Sequence, residues 1–453
     1  MIIDTGNRHE SKIESKHLDC PPLSGYNHLA VYMRWAYNKG LLSEELLKKE
    51  PRIEAAMRGE GDLREVIANS RYMNGKIRSE YFNEEGELFT KQFYQLSGDK
   101  EYASCVDKNA ENYFGSRYRA PEFNNEAYLF VPYDEEYYKN LSKFIDDAWD
   151  NRAYYEKKLL EAKEDLIKWL LSVAKNEIRA NLTYEGDTFE PGEATVTDLT
   201  ASRIGGKPAV PAGFEWPYFE GVGFDDPEPK NRPLSFLAQI NLKEVAPLDK
   251  EGLLPKTGIL SFFYELDTMT WGFDPKDKGS ARVYFFEEGT ELHLEDIPSD
   301  MENDYRVPEF SVEFEEHISL PDMSEFDDDL SLDYDDNIDC LAKAGYDVDE
   351  WANNTKLLGY SDTIQNPMYV ECETVTRGWR RGNKEDIEKI PSAEKIEINE
   401  MSKQWMLLFQ MGTVESDDYE LMFGDCGHIY FWIKKSDLAA KNFDNVWLIL
   451  QCS

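Results

Sequence analysis

The C-terminal half of the chain carries one β-unit twice. Pro233-Leu-Ser-Phe-Leu-Ala-Gln239-Ile-Asn241 is followed, after a loop, by Gly258-Ile-Leu-Ser-Phe-Phe263. Trp405-Met-Leu-Leu-Phe-Gln410-Met-Gly412 is followed in the same way by Gly427-His-Ile-Tyr-Phe-Trp432. Each copy is a short apolar strand ending near a glutamine, a turn, and a glycine-led aromatic strand. Such a duplication predicts one pseudo-symmetric domain, with a seam between its halves as the natural place for a ligand or partner. No catalytic group recurs in the unit.

Further short strands surround the copies, at Arg282–Phe286, Ser311–Phe314 and Val446–Gln451. With turn residues between them they predict an antiparallel β-rich domain over residues 181–453, in which helices nearly vanish. Ahead of it, Leu159, Leu160, Leu166, Ile167, Leu170, Leu171, Ala174 and Ile178 form an apolar stripe. That stripe predicts a connecting amphipathic helix over residues 151–180. Residues 20–150 read as a small α+β domain. Leu29, Tyr32, Met33, Ala36 and Tyr37 lie on one helical face that stops at Gly40. Short helices are expected at 43–49 and 62–72. A Gly86 turn separates aromatic segments, Ala127–Val131 reads as a strand, and Asp134 is placed to cap a helix to about Trp149. Residues 1–19, polar and aperiodic, are expected to be a flexible arm. The predicted class is therefore α+β: a small N-terminal α+β domain, a long helix, and an antiparallel β-rich domain of two similar halves.

Charge narrows the functional classes. The 453 residues hold 50 basic and 89 acidic side chains, for a net charge of −39. Nucleic-acid binding depends on Lys and Arg at phosphates, so nucleic acid and anionic membranes are excluded as partners. A basic protein is the favoured partner. An acidic insert at 287–350 has 24 acidic against two basic residues, Arg306 and Lys343, with a helix expected near Asp339–Ala344. Its carboxylates Asp327, Asp328, Asp329, Asp333, Asp335 and Asp336 are candidate docking groups, with Trp35 and Tyr37 as exposed aromatic anchors. Asp333-x-Asp335-Asp-Asn337-x-Asp339 imitates a calcium loop but lacks its sixth-position Gly and its twelfth-position Glu, where Ala344 stands. No apolar run reaches the roughly 18 residues that span a bilayer. The first residues have no signal-peptide pattern, and the six cysteines are scattered as reduced thiols would be. A cytoplasmic protein is expected.

No residue set is assigned to catalysis, and no metal or cofactor is expected. The six histidines (9, 17, 28, 293, 317, 428) are too scattered for an obvious cluster. His28 could meet a carboxylate, although a structural hydrogen bond suits it better. Cys426 and His428 would share a face of an extended strand without a third orienting group. Ser202-Arg203-Ile-Gly205-Gly206-Lys207-Pro208 could cradle an anion or form a structural turn. A small molecule at the seam would meet Arg203, Gly205, Gly206, Gln239 and Gln410. Alternatively, the two glutamines satisfy buried backbone groups.

Several motifs resemble the YwqG-like family, a bacterial domain family of unknown biochemical function. They are Thr200-Ala-Ser-Arg203-Ile-Gly205-Gly206-Lys-Pro208 with Trp216-Pro217, Leu234–Asn241, Leu357-Leu-Gly-Tyr360 with Gln365, Leu407–Gln410, and Asp425-x-Gly427 through Cys452. The resemblance covers about residues 155–453 and implies a fold of two similar β-rich halves without a known reaction. Family members often carry His just before Leu-Leu-Gly-Tyr, where Thr355-Lys356 stands here. Pro22-Leu-Ser-Gly-Tyr-Asn-His28 through Ala36 resembles small domains suspected of immunity roles in toxin systems. Together with the acidic charge, these resemblances imply a non-catalytic, immunity-like protein that neutralises a basic toxin such as a nuclease. The alternative is a small-ligand or enzymatic domain at the seam.

Overall fold

A computed structural model describes residues 2–95, 101–184, 198–222, 228–326, 330, 332, 334–346, 355–416 and 419–453. The chain forms two units, residues 1–168 with 327–340, and residues 169–326 with 341–453.

The first unit is mostly helical. Its central helix, Asn27–Lys39, is buried on nearly every side and ends at Gly40, whose φ of 73° supplies the left-handed cap. Ser43, Asp62 and Asp134 accept hydrogen bonds from the amides of Leu46, Arg64 and Tyr137, starting helices Glu44–Lys49, Leu63–Asn69 and Glu135–Asp150. Three expectations fail here. Residues 2–15 are no loose arm: Ile2–Thr5 pairs with Lys76–Arg78, and helix Gly6–Ser15 follows. Buried Ile13 and the Tyr26 hydroxyl, bonded to Asn7 and Glu10, anchor that segment despite its polarity. Ala127–Phe130 is a 3-10 turn whose Ala127 and Leu129 are buried, and among the described residues no strand pairs with it. Gly86 lies inside helix Glu84–Gln95, where a Cβ would come within 2.7 Å of the Leu41 carbonyl.

Helix Arg152–Val173 stops short of the predicted 180. Its apolar stripe gives way to Glu177-Ile178-Arg179-Ala180, a two-residue alternation, and Lys175–Thr183 is a strand.

That strand, β1, begins a ten-stranded antiparallel sheet. The others are β2 (Arg203–Ile204), β3 (Ser235–Asn241), β4 (Ile259–Tyr264), β5 (Ala281–Phe286), β6 (Phe310–Ser319), β7 (Lys356–Leu358), β8 (Trp405–Met411), β9 (His428–Lys434) and β10 (Trp447–Gln451). The order across the sheet is β5-β4-β3-β2-β6-β1-β7-β8-β9-β10. It reads as two copies of one five-strand repeat, β1–β5 and β6–β10, that have exchanged their first strands. The long strand β6 docks on β2 of the first repeat, and β1 docks on β7 of the second. Register fixes the symmetry axis. Ser311 faces Arg203 and Arg179 faces Lys356, so the pseudo-two-fold passes through the paired Asn181 and Glu313. Both copies also carry the same one-residue bulge, at Leu237 and Leu408, two residues before each glutamine.

The sheet curls around a core in which Phe262 of β4 meets Phe409 of β8, with ring centroids 4.5 Å apart. At its edge, the Leu450 amide bonds the Trp271 carbonyl and the Trp447 indole N–H bonds the Gly272 carbonyl, so the β4–β5 loop covers β10. Helices have not vanished from this unit: Tyr369–Thr376, Lys384–Glu388 and Ser392–Ser402 stand between β7 and β8. The first of these packs Met368, Cys372 and Val375 on Trp405, Tyr430 and Trp432. Tyr334–Lys343 is helical, beginning ahead of the expected Asp339. Among the described residues, no helix is long and apolar enough to cross a membrane.

Candidate functional site

The strand exchange buries one cation in each half. Arg203 on β2 and Lys356 on β7 occupy equivalent positions, opposite Gln239 and Gln410. Each faces a glutamate from the other repeat. Arg203 Nε lies 3.9 Å from Glu309, and Lys356 Nζ lies 2.8 Å from Glu177. After each cation the chain makes the same turn through two left-handed residues, Gly205 and Gly206 in one half, Leu358 and Gly359 in the other. Six residues beyond each cation, a backbone amide returns to the glutamine: Ala209 N to Gln239 Oε1 at 3.3 Å, and Asp362 N to Gln410 Oε1 at 2.9 Å.

The two copies then differ in chemistry. In the first half the cluster is closed by backbone. Arg203 donates to the carbonyls of Ala201 and Lys207, and Gln239 donates to those of Leu199 and Ala201. Burial, against the opposing charge of Glu309, pulls Arg203 down to about 10. In the second half a carboxylate stands where the first has Ala209. Asp362 accepts from Lys356 and from Gln410, both at 2.6 Å, and the Tyr430 hydroxyl bonds the Asp362 carbonyl at 2.6 Å. Burial opposes the charge on Lys356, but Asp362 and Glu177 outweigh it and raise its pKa. Burial likewise opposes ionisation of Asp362, and Lys356 overcomes it, holding the carboxyl below its ordinary value. Glu177 also accepts from Arg179 at 2.8 Å. Two cations and two carboxylates thus form a neutral set, buried except at Asp362, which is partly exposed.

A pocket of about 280 Å³ opens beside this set. Asp362, Ser361, Thr363 and Tyr346 line it with His428, and Leu320, Pro321, Met323, Leu341 and Ile364 form an apolar wall. His428 is 5% exposed, and neither ring nitrogen has a hydrogen-bond partner among the described residues. Burial, aided by Lys356 and opposed by Asp362, lowers its pKa, so the imidazole is neutral at pH 7 and offers one donor and one acceptor. Its counterpart in the first half is Ile259. A second pocket, of about 400 Å³, uses the preceding part of the same loop, with Tyr360, Lys175, Glu325, Tyr369 and Trp405.

Sequence comparison supplies the family. Residues 202–452, more than half of the chain, match the domain of unknown function DUF1963. The chain belongs to that family. Residues 2–120 match a second domain of unknown function, DUF7832. No curated protein matches the chain. The DUF1963 match begins one residue before Arg203, whereas the folded unit includes β1, which supplies Glu177 to Lys356.

Within the DUF1963 fold the predicted site residues do not converge. Four strands separate β3, which carries Gln239, from β8, which carries Gln410, so Arg203, Gln239 and Gln410 do not share one seam site. The amides of Gly205 and Gly206 are bonded to the Leu237 and Val307 carbonyls, making that loop a structural turn and not an anion cradle. Cys426 is exposed in a turn with φ of 50°, outside the strand that starts at His428, so the two do not share a strand face. The residues that sequence reading missed are Lys356 and Asp362. Lys356 stands where the YwqG-like resemblance implies histidine, and only the register reveals it as the counterpart of Arg203.

The proposed docking groups fare differently. Trp35 is 2% exposed and donates to Asp146 at 3.0 Å, so it is a core residue and no exposed anchor. Tyr37 is half-buried against the same core. Asp327, Asp328, Asp329 and Asp333 lie outside the described residues, as does the side chain of Asp335. Asp336 pairs with Lys163 at 2.5 Å.

Proposed function

We propose that the DUF1963 unit is a binding module for one small polar metabolite, seated in the pocket between His428 and the apolar wall of Leu320, Met323 and Ile364. One observation carries the reading: a buried imidazole lines a pocket with both nitrogens unpartnered among the described residues. A polar group held out of water without a partner costs about 1–3 kcal/mol, and a ligand that bonds both nitrogens offsets that cost. The volume, just below the roughly 300–1,000 Å³ typical of ligand pockets, selects a compact molecule. The neutral Lys356–Asp362–Glu177–Arg179 set, with Asp322 at the pocket wall, favours a neutral or cationic ligand over an anion. The ligand therefore presents an adjacent donor and acceptor on one side and an apolar face on the other.

The test is thermal-shift screening of the full chain against small neutral and cationic metabolites, in parallel with His428→Ile. Stabilisation of the wild type by a compound class that leaves the variant unmoved supports the reading. Equal shifts in both proteins, or none in either, sink it.

A second reading joins the net charge of −39, which favours a basic partner, to the immunity-type resemblance: neutralisation of a basic protein toxin. It predicts capture of a single basic protein at low salt and its release as salt rises.

A further inference from the structure

The first unit brings together three side chains that the sequence scatters. Asp4 lies on strand Ile2–Thr5, His9 on helix Gly6–Ser15, and His28 at the start of helix Asn27–Lys39. Asp4 Oδ1 is 3.2 Å from His9 Nε2, and Asp4 Oδ2 is 3.3 Å from His28 Nε2. One ligand atom from each of the three lies within 4.8 Å of the others. The imidazole rings meet edge to face, 4.5 Å between centroids.

The separations suit coordination as well as a long hydrogen bond. A charge-assisted N–H···O bond settles at about 2.7–2.9 Å. Two ligand atoms on a tetrahedral ion with bonds of about 2.0–2.1 Å lie about 3.4 Å apart. Asp4 meets His9 through Oδ1 and His28 through Oδ2, each near the second value and at the long end of hydrogen-bond reach. The surroundings also suit an ion. His9 Nδ1 is held 2.7 Å from the Tyr128 hydroxyl, an outer contact that fixes the ring with Nε2 toward the cluster. The Tyr102 hydroxyl bonds the His28 carbonyl at 2.7 Å and fixes that end of the helix. Lys12, the nearby cation, is bonded to Glu126 at 3.2 Å.

We propose that Asp4, His9 and His28 form a three-ligand site for a divalent transition ion of the zinc class, leaving one tetrahedral position open. The site ties the N-terminal strand and helix to the central helix, in a segment whose polar sequence suggested a loose arm.

The full chain, stripped with a chelator, is titrated with Co²⁺ alone and then with Zn²⁺ alone. The expected result is one equivalent of Co²⁺ with an intense four-coordinate visible spectrum, displaced by Zn²⁺. His9→Gln, at a partly exposed position, weakens binding at least about 100-fold. Tyr128→Phe, which keeps all three ligands, weakens it about 10-fold. His293→Gln, on an exposed histidine outside the cluster, leaves it unchanged. The proposal is overturned if the wild type shows no saturable equivalent. It is equally overturned if His9→Gln and Asp4→Asn, both folded by circular dichroism, bind Co²⁺ as the wild type does.

Discussion

Arg203 and Lys356 are the same residue of two repeats. Each stands opposite a glutamine, each precedes two left-handed residues, and each faces a glutamate delivered by the other repeat's exchanged first strand. Exchange makes each half depend on the other for charge balance as well as for backbone pairing. The halves then diverge. Ala209 and Ile259 close the first site, while Asp362 and His428 keep the second polar and open.

Removing the second cation is expected to be costly. Lys356→Ala leaves buried Glu177 and partly exposed Asp362 without their shared partner, a loss of about 3 kcal/mol. Lys207→Ala breaks a pair whose Asp296 is almost fully exposed, and should change stability by less than about 0.5 kcal/mol. Urea unfolding of the two variants, followed by tryptophan fluorescence, measures the difference.

Substituting the first half's residue into the second separates stability from binding. His428→Ile removes two unpartnered buried nitrogens and installs the side chain that Ile259 provides at the equivalent place. The ligand-free variant should be as stable as the wild type or more so, by up to about 2 kcal/mol. A clear fall in melting temperature would mean that His428 is a packing residue whose partners the pocket does not supply.

The paired turn tolerates no added carbon on the first-half side. A Cβ on Gly205 would lie 2.0 Å from the Pro308 carbonyl oxygen at φ of 64°, so Gly205→Ala should lose at least about 3 kcal/mol or fail to fold. Gly213 has a similar φ of 81° with open space around it, and Gly213→Ala should cost only about 1 kcal/mol. Melting temperatures of the two variants provide the comparison.

Glu371 supplies a pH test. Burial lifts its carboxyl from 4.5 up to about 7, with Arg381 opposing at 3.6 Å. The folded chain then keeps a proton that the unfolded chain has released, so this group's contribution to stability falls as pH rises from about 4.5 to about 7. Glu371→Gln should be more stable than the wild type by about 3 kcal/mol at pH 8 and indistinguishable near pH 4.5. A pH-independent difference would contradict the assignment.

The fold was legible where a strand's pattern is local. Gln239, Gln410 and their glycine-led partners marked the two copies, because short apolar runs bounded by turn residues need no distant information. Lys175–Thr183 was not legible as a strand, since the apolar stripe of Leu159–Leu171 runs straight into it through Ala174 and Ile178. Ala127–Val131 has a strand's composition, yet a helical environment overrides it. The site was harder still. Lys356 and Asp362 reach Gln410 across three intervening helices, and only pairing register shows that Lys356-Leu-Leu-Gly repeats Arg203-Ile-Gly-Gly. His428 was visible in sequence beside Cys426, but a left-handed turn at Cys426 separates the pair.

Native mass spectrometry of the full chain, freshly purified from its source cell, tests the binding reading most directly. The account predicts a 1:1 adduct of a small neutral or cationic molecule, lost on denaturation and absent from His428→Ile purified alongside. An adduct-free wild type that no small metabolite stabilises, or an adduct retained unchanged in His428→Ile, would contradict it.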